Sequence, residues 1–207
     1  MTDLTDLSPP HVPSDPTELG DSLPGGSTDP LGARAPGDPV VLADGGQDLR
    51  DLQDLRDLRD LRDRMDLRQL VDTYAHALDR RMAELFASLF DEGGELVLVR
   101  PPGSGRAPLV LDGRDGWARA LAVLEPCRVT THFVGNHLVR LAGDGATGET
   151  YCLAHEIYPA DGPDRMRVRS IRYRDTYRRT HGSWLFARRE LTIDWTEDRV
   201  LRPPSGP

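Results

Sequence analysis

Residues 131–158 read THFVGNHLVRLAGDGATGETYCLAHEIY, and this stretch decides the fold. Two segments rich in Val, Leu, Thr, Phe, Tyr and Ile flank the run Ala142-Gly143-Asp144-Gly145. Glycine tolerates positive φ and aspartate bonds to its own backbone, so such a run is typical of a tight turn between two strands. The stretch therefore predicts a long β-hairpin.

The register of this hairpin determines which side chains share a face. A loop of two or four residues centred between Gly143 and Asp144 would place His132 opposite His155. Opposed residues lie on one side of a sheet with Cβ atoms roughly 5 Å apart. A loop of three or five residues would instead put the histidines on opposite faces. The alternative to a pocket is that each histidine only satisfies a local hydrogen bond in a half-buried strand. The even loop predicts one pocket-like face made of His132, Val134, Asn136, Tyr151, Leu153, His155 and Ile157.

Charge divides the 207-residue chain into two parts. Residues 1–48 hold nine acidic side chains and one basic, Arg34, whereas the remainder holds 25 of each sign. We expect residues 1–48, rich in Pro and Gly, to form a disordered acidic tail, because they lack a periodic apolar face. The neutral remainder argues against nucleic acid as a partner.

Cysteine usage and hydropathy predict a cytoplasmic protein. Cys127 and Cys152 are far apart in sequence, so a disulfide framework is not expected. No apolar run reaches the roughly 18 residues of a membrane span, and the N-terminus has no signal pattern. We therefore expect no membrane partner.

The folded part is predicted to be an α+β domain over residues 66–197. An Asp-Leu-Arg repeat over 49–65 precedes it; its leucines recur every third residue and spiral around a helix, which indicates a solvated lead-in or a partner-binding helix. Helices are expected at 67–78, 82–90 and 113–124. Strands are expected at 95–100, 108–111, in the long hairpin, and at 165–180 and 183–195. Residues 198–207 are predicted to be a second disordered tail.

The order of these elements resembles the SnoaL-like branch of the nuclear-transport-factor-2-like superfamily. The residues that carry the resemblance are Tyr74-Ala75-His76-Ala77-Leu78-Asp79, Phe86 to Asp91, Gly113-Arg114, Thr131-His132-Phe133 with Asn136, Gly143-Asp144-Gly145-Ala146, His155, Tyr173-Arg174-Asp175, and Gly182-Ser183-Trp184 before Arg188. The resemblance implies a cone-shaped barrel in which three N-terminal helices pack into a curved, mainly antiparallel sheet. Such folds often assemble as homo-oligomers, so a dimer or trimer is expected.

Within that superfamily the chain is similar to scytalone dehydratases and hexachlorocyclohexane dehydrochlorinases. The resemblance implies His132 as the catalytic base, Asp79 as its orienting carboxylate and His155 as a second pocket histidine. It also implies that no cofactor or metal takes part. The dehydratases have tyrosines where this chain has Leu78 and the segment 97–99, so the water-holding groups would have to come from elsewhere.

The chemistry of these residue types supports the same site. A histidine suits proton removal next to a carbonyl, and a carboxylate on one ring nitrogen fixes its tautomer. Asp79 ends a predicted helix, where a negative charge needs a cationic or donor partner, either His132 or the neighbouring Arg80 and Arg81. Two histidines and a carboxylate also match a metal triad. The arginines along residues 165–179 are either a solvated outer face or a steering surface for an anionic substrate.

The sequence thus predicts a cofactor-independent lyase of the dehydratase type, acting on a small cyclic substrate such as a polyketide-derived intermediate of secondary-metabolite or antibiotic biosynthesis. His155 would act as acid or oxyanion donor. Two alternatives are an isomerase or aldol-type cyclase in the same pocket, and a non-catalytic ligand-binding or dimerisation module. The predicted substrate-binding residues are Tyr74, Phe133, Asn136, Tyr151, Leu153 and Tyr173.

Overall fold

A computed structural model describes residues 45–100, 103 and 105–202. The predicted acidic tail, apart from its last residues, and most of the predicted C-terminal tail lie outside these residues. The elements follow in the order α1 (Gly45–Asp79), α2 (Ala83–Ser88), β1 (Phe90–Leu98), β2 (Leu109–Asp112), α3 (Gly113–Ala122), β3 (Val129–Ala142), β4 (Gly145–Tyr158), β5 (Arg165–Thr180) and β6 (Ser183–Val200). None of the described helices combines the length and apolar character that a membrane crossing requires.

Helix α1 contains both the Asp-Leu-Arg repeat and the first predicted helix. The repeat leucines Leu49 to Leu61 are between 51 and 70% exposed, as their spiral arrangement predicts. From Leu67 onward the residues at helical spacing are buried, because they form one continuous apolar stripe. The change from exposed to buried leucines therefore occurs within a single helix.

Six strands form one mixed sheet in the order β2-β1-β6-β5-β4-β3. All neighbours are antiparallel except β1 and β6, which are parallel. Two features differ from the expected cone-shaped barrel. The described sheet is not closed, since β2 and β3 remain at its two edges. Only α1 and α2 precede the sheet, because α3 lies between β2 and β3 in the chain.

The long hairpin β3–β4 is present, and its turn at Gly143 and Asp144 is the shorter of the two even loops predicted. Next to the turn, Leu141 pairs with Ala146 as expected. The register then shifts between Val134 and His137, where β3 contains one extra residue. Beyond this bulge His132 pairs with Ala154, and His155 pairs with Thr131. The predicted pairing of His132 with His155 is therefore wrong, and the two side chains belong to opposite faces of the sheet.

The bulge is held in place by α1. Arg68 donates a hydrogen bond from Nη1 to the carbonyl oxygen of Gly135 at 2.8 Å, and its Nε lies 2.9 Å from Asp72 Oδ2. A backbone carbonyl at the bulge thereby accepts a hydrogen bond from the helix that packs on the sheet. The register shift is thus coupled to the position of α1 on the sheet.

The centre of the core contains a fully buried ion pair. Arg189 of β6 binds Asp175 of β5 through two hydrogen bonds of 2.8 and 2.9 Å. The Arg189 guanidinium also lies 4.1 to 4.3 Å from the ring centroids of Tyr74, Tyr173 and Phe186. Tyr74 belongs to α1, so this cluster joins the helix to the two central strands.

Candidate active site

A carboxylate–imidazole contact lies where α1 ends against β3. Oδ1 of Asp79 is 2.7 Å from Nδ1 of His132, and the backbone N–H of His132 donates to Oδ2 of Asp79 at 2.9 Å. The side chains of Asp79 and His132 are 21% and 6% exposed, so solvent screens the pair only partly. An ionised Asp79 requires the Nδ1 proton, which leaves Nε2 as the ring nitrogen that can act as a base. The two residues are in contact, and their role in catalysis stays a prediction.

The hydrogen bonds to Asp79 favour its ionised form. Partial burial acts to raise the pKa of this carboxyl, but hydrogen bonds from the ring and the backbone of His132 outweigh that effect. The side chain of Thr130 contributes in the same direction, so the pKa of Asp79 is lowered from its ordinary value. The negative charge at the end of α1 therefore has the donor partners that the helix dipole requires.

Arg81 does not bind the Asp79 carboxylate, the alternative partner that the sequence suggested, but fixes the backbone around it. Its Nη1 donates to the carbonyl oxygens of Leu78 and Asp79 at 2.9 and 3.0 Å and to Oγ1 of Thr130 at 2.7 Å. Its φ of 56° ends the helix sharply. Since Thr130 is on β3, Arg81 ties the C-terminus of α1 to the strand that carries His132.

His132 lines a cavity of about 170 Å³ between the helices and the inner face of the sheet. The walls are mainly aliphatic, and they come from α1, from α3 with the residues that follow it, and from all six strands. An apolar wall strengthens electrostatic interactions inside a site because little water is present to screen them. The aliphatic lining residues are Leu78, Leu96, Leu98, Leu109, Leu111, Ala120, Val123, Leu124, Ile171, Leu191 and Ile193.

Two of the predicted substrate-binding residues, Tyr74 and Tyr173, line the same cavity. They are 2% exposed each, and burial raises the pKa of both phenols above the ordinary value. Both hydroxyl groups therefore stay protonated at neutral pH and keep a proton to donate. The structure thus brings together His132, Asp79, Tyr74 and Tyr173 from the predicted set.

The other predicted residues lie away from this cavity. Because the bulge shifts β3 by one residue relative to β4, the side chains of the two strands share faces in a different combination from the one predicted. Phe133, Tyr151 and Leu153 are 66, 44 and 37% exposed. Asn136 lies in the bulge itself and is exposed. His155 is half-buried but does not line the cavity that His132 lines. The structure therefore does not place these five side chains at the candidate site.

The sequence prediction missed three charged residues of the cavity, Arg119, Glu156 and Arg169. It groups Arg169 with the other arginines of residues 165–179, for which a solvated outer face is one alternative. Side chains alternate along a strand, so Arg169 shares a face with Ile171 and Tyr173. Since Tyr173 was predicted to be a pocket residue, the alternation along β5 would have indicated that Arg169 also faces the interior.

The proposed metal triad does not form. It required His132, His155 and Asp79, and the bulge places His155 on the other face. Among residues 45–100, 103 and 105–202, no group of three or more His, Cys, Asp or Glu side chains is arranged to hold a metal ion.

Comparison with known proteins finds one family profile and several solved structures that this chain resembles. The profile of a family described as a SnoaL-like domain matches residues 59–190. Among proteins with curated descriptions, none matches this chain. Solved structures do match, with nearly the whole length of several of them covered by this chain.

A type 2 hexachlorocyclohexane dehydrochlorinase, LinA, is 20% identical over 72% of this chain and 99% of its own, with a TM-score of 0.60. A scytalone dehydratase candidate from Novosphingobium aromaticivorans is 25% identical over 72% of this chain and 97% of its own, with a TM-score of 0.57. An NTF2-like protein with a cystatin-like fold, also from Novosphingobium aromaticivorans, is 29% identical over 68% of this chain and 87% of its own, with a TM-score of 0.53.

Proposed function

This chain belongs to the SnoaL-like domain family, and we propose that it is a cofactor-independent lyase of the dehydratase type. Its base is His132, oriented by Asp79, and its substrate is a small cyclic compound with an acidic C–H bond next to a carbonyl group. The similarity to a scytalone dehydratase candidate at 25% identity supports this reaction class.

The observation that carries the proposal is the Asp79–His132 contact at the wall of an apolar cavity. The 2.7 Å contact fixes the ring tautomer, and the mainly aliphatic lining of the cavity reduces the screening of this pair by water. A general base in this position contributes typically about 10² to 10⁴ in rate. The carboxylate also stabilises the imidazolium that forms when the proton is taken.

Elimination of water proceeds in two proton transfers. Nε2 of His132 takes the proton from the carbon next to the carbonyl, and electron density moves onto the carbonyl oxygen. The enolate then re-forms the carbonyl, a carbon–carbon double bond forms, and the carbon–oxygen bond of a hydroxyl group in the β position breaks. The imidazolium of His132 returns its proton to that hydroxyl, which leaves as water, and the base is regenerated. Tyr74 and Tyr173, whose raised pKa values keep them protonated, are the cavity hydroxyls suited to hold the departing water.

An isomerase or aldol-type cyclase is the second candidate, because the same base produces the same enolate. It is favoured by one departure from the dehydratase pattern: Leu78 and the segment 97–99 are aliphatic where the dehydratases carry tyrosines. In an isomerase the proton returns to another carbon, so no hydroxyl leaves and no group has to hold water.

The experiment is incubation of the protein with a set of cyclic β-hydroxyketones, followed by mass spectrometry of the products. A dehydratase yields products lighter by one water, whereas an isomerase yields products of unchanged mass. We expect His132→Ala to lose the activity and His155→Ala, the matched control on the other face, to retain it. Equal turnover by the wild type and a folded His132→Ala variant would contradict the proposal and favour a non-catalytic ligand-binding module.

A further inference from the structure

A second polar centre faces the cavity from strands β4 and β5. Glu156 is 1% exposed and is bound by two arginines. Arg169 Nη1 lies 2.8 Å from Oε1 of Glu156, and Arg167 Nε donates to Oε2 at 2.8 Å. A single carboxylate thus faces two guanidinium groups, so the cluster carries one net positive charge.

This cluster lies at the same level of the sheet as His132. Ala154 of β4 pairs with His132 on one side and with Arg169 on the other, so the three side chains share the inner face. Neighbours that are paired directly have Cβ atoms roughly 5 Å apart. Ala154 is fully buried and does not itself line the cavity, whereas His132 and Arg169 on its two sides both do. A ligand in the cavity therefore lies within reach of the imidazole and of the guanidinium.

The charge of Arg169 is incompletely compensated. Burial lowers the pKa of its guanidinium, the attraction of Glu156 acts against this, and repulsion by Arg167 adds to the lowering. Arg119 of α3 also lines the cavity and adds a further positive charge. An anion placed between His132 and Arg169 would offset the positive charges of Arg169 and Arg119. A guanidinium binds carboxylates with charge-assisted hydrogen bonds.

We propose that Arg169, held in position by Glu156, is the anion-binding residue of this cavity, and that the substrate is a small cyclic carboxylate. The inference rests on the proposed function, because it takes the cavity as the substrate site. It assigns an anion-binding role to one of the arginines of residues 165–179. The ring of the substrate would lie against the aliphatic wall of the cavity, with its carboxylate on Arg169 and its acidic C–H bond toward His132.

The test is calorimetric titration with salicylate and with salicylamide, its uncharged analogue of nearly the same shape. We expect the wild type to bind salicylate about tenfold or more tightly than salicylamide. Arg169→Met should remove this preference, and Arg169→Lys should keep part of it because the charge remains. The matched control is Arg172→Met, since Arg172 is paired with Asp194 on the outer face and should leave the preference unchanged.

A binding measurement tests this inference independently of the proposed reaction. His132→Ala removes the base but not the anion site, so we expect this variant to prefer salicylate as the wild type does. Loss of turnover together with a retained preference supports both proposals. The absence of any preference for salicylate in the wild type would overturn the inference, whatever the catalytic result. A preference that survives in Arg169→Met, with the fold confirmed by circular dichroism, would overturn it as well.

Discussion

Asp79 performs two tasks through the two oxygens of one carboxylate. Oδ1 holds the ring of His132 and Oδ2 holds the backbone N–H of the same residue. The first contact fixes the tautomer, and the second fixes the strand position from which the ring extends. The two hydrogen bonds favour the ionised carboxylate, so the same interactions that orient the base also make folding depend on the charge of Asp79.

The lowered pKa of Asp79 predicts a pH dependence of stability. A carboxyl whose pKa is lowered by folding stabilises the native state fully above its unfolded value of 3.8, and this contribution is lost as the pH falls through the lower folded value. We expect the wild type to exceed Asp79→Asn in free energy of unfolding by about 1–3 kcal/mol at about pH 5. The difference should shrink toward about pH 3, as measured by urea denaturation.

Asp161→Asn serves as the control for this measurement, because Asp161 is an exposed loop residue. Its difference from the wild type should remain within about 0.5 kcal/mol at both pH values. A wild-type advantage over Asp79→Asn that stays constant or grows as the pH falls would contradict the assigned role of the carboxylate.

A single extra residue explains most of what the sequence could not predict about the site. The turn at Gly143 and Asp144 and the pairing next to it follow from composition and loop length. The bulge before His137 does not, because it is held by a contact from Arg68 on a helix more than sixty residues earlier in the chain. Every residue between the bulge and the start of β3 is consequently shifted by one position relative to β4. His155 was misplaced for this reason, whereas the contact of Asp79 with His132 does not depend on the facing strand.

At the scale of the element, the side chains of helix α1 change from exposed to partly buried at Asp63. Before this residue the helix is exposed on all sides, and Asp63 itself is 5% exposed. Its Oδ1 accepts a hydrogen bond from Nε1 of Trp184 at 3.2 Å, and its Oδ2 binds Arg179. The Arg179 guanidinium also stacks over the Trp184 ring at 4.3 Å. One repeat aspartate thereby connects the solvated part of the helix to β5 and β6.

We predict that Asp63→Ala destabilises the protein by about 2–4 kcal/mol, because it leaves the indole N–H and the Arg179 charge without their buried acceptor. The repeat offers a matched control in Asp60→Ala, an exposed aspartate one triplet earlier. That variant should change the free energy of unfolding by no more than about 0.5 kcal/mol in urea denaturation. Equal effects of the two substitutions would show that Asp63 does not anchor the helix.

The strands show where alternation along the sequence is informative. In β5, the odd-numbered residues from Arg167 to Tyr177 face the interior, and the even-numbered arginines face outward. The sequence does not show this period of two, because arginines occupy both faces of β5. The exposed leucines of α1 were predicted correctly, since a period of three on a helix cannot form a stripe.

At the scale of the whole molecule, the cavity is built from distant parts of the chain. The carboxylate of Asp79 comes from the end of α1, the imidazole of His132 from β3, the Glu156–Arg169 pair from β4 and β5, and the aliphatic wall mainly from α3 and the remaining strands. The order of elements predicted an α+β fold, and the family resemblance predicted the roles of Asp79 and His132. The structure brings these two residues into contact, and Tyr74 and Tyr173 line the same cavity as His132. The open sheet, the position of α3 and the Glu156–Arg169 pair depend on pairing between distant segments, which the order of elements does not specify.

The central claim is that His132 removes a proton from a carbon next to a carbonyl group. The most direct measurement is the rate at which the protein exchanges the acidic ring hydrogens of beta-tetralone for deuterium in D₂O, followed by mass spectrometry. This bicyclic ketone is uncharged, so the result does not depend on the anion-binding role of Arg169. We predict that His132→Ala lowers the rate of exchange by about 10² to 10⁴ relative to the wild type, while His155→Ala stays within about twofold. Exchange at the wild-type rate in a folded His132→Ala variant would contradict the account.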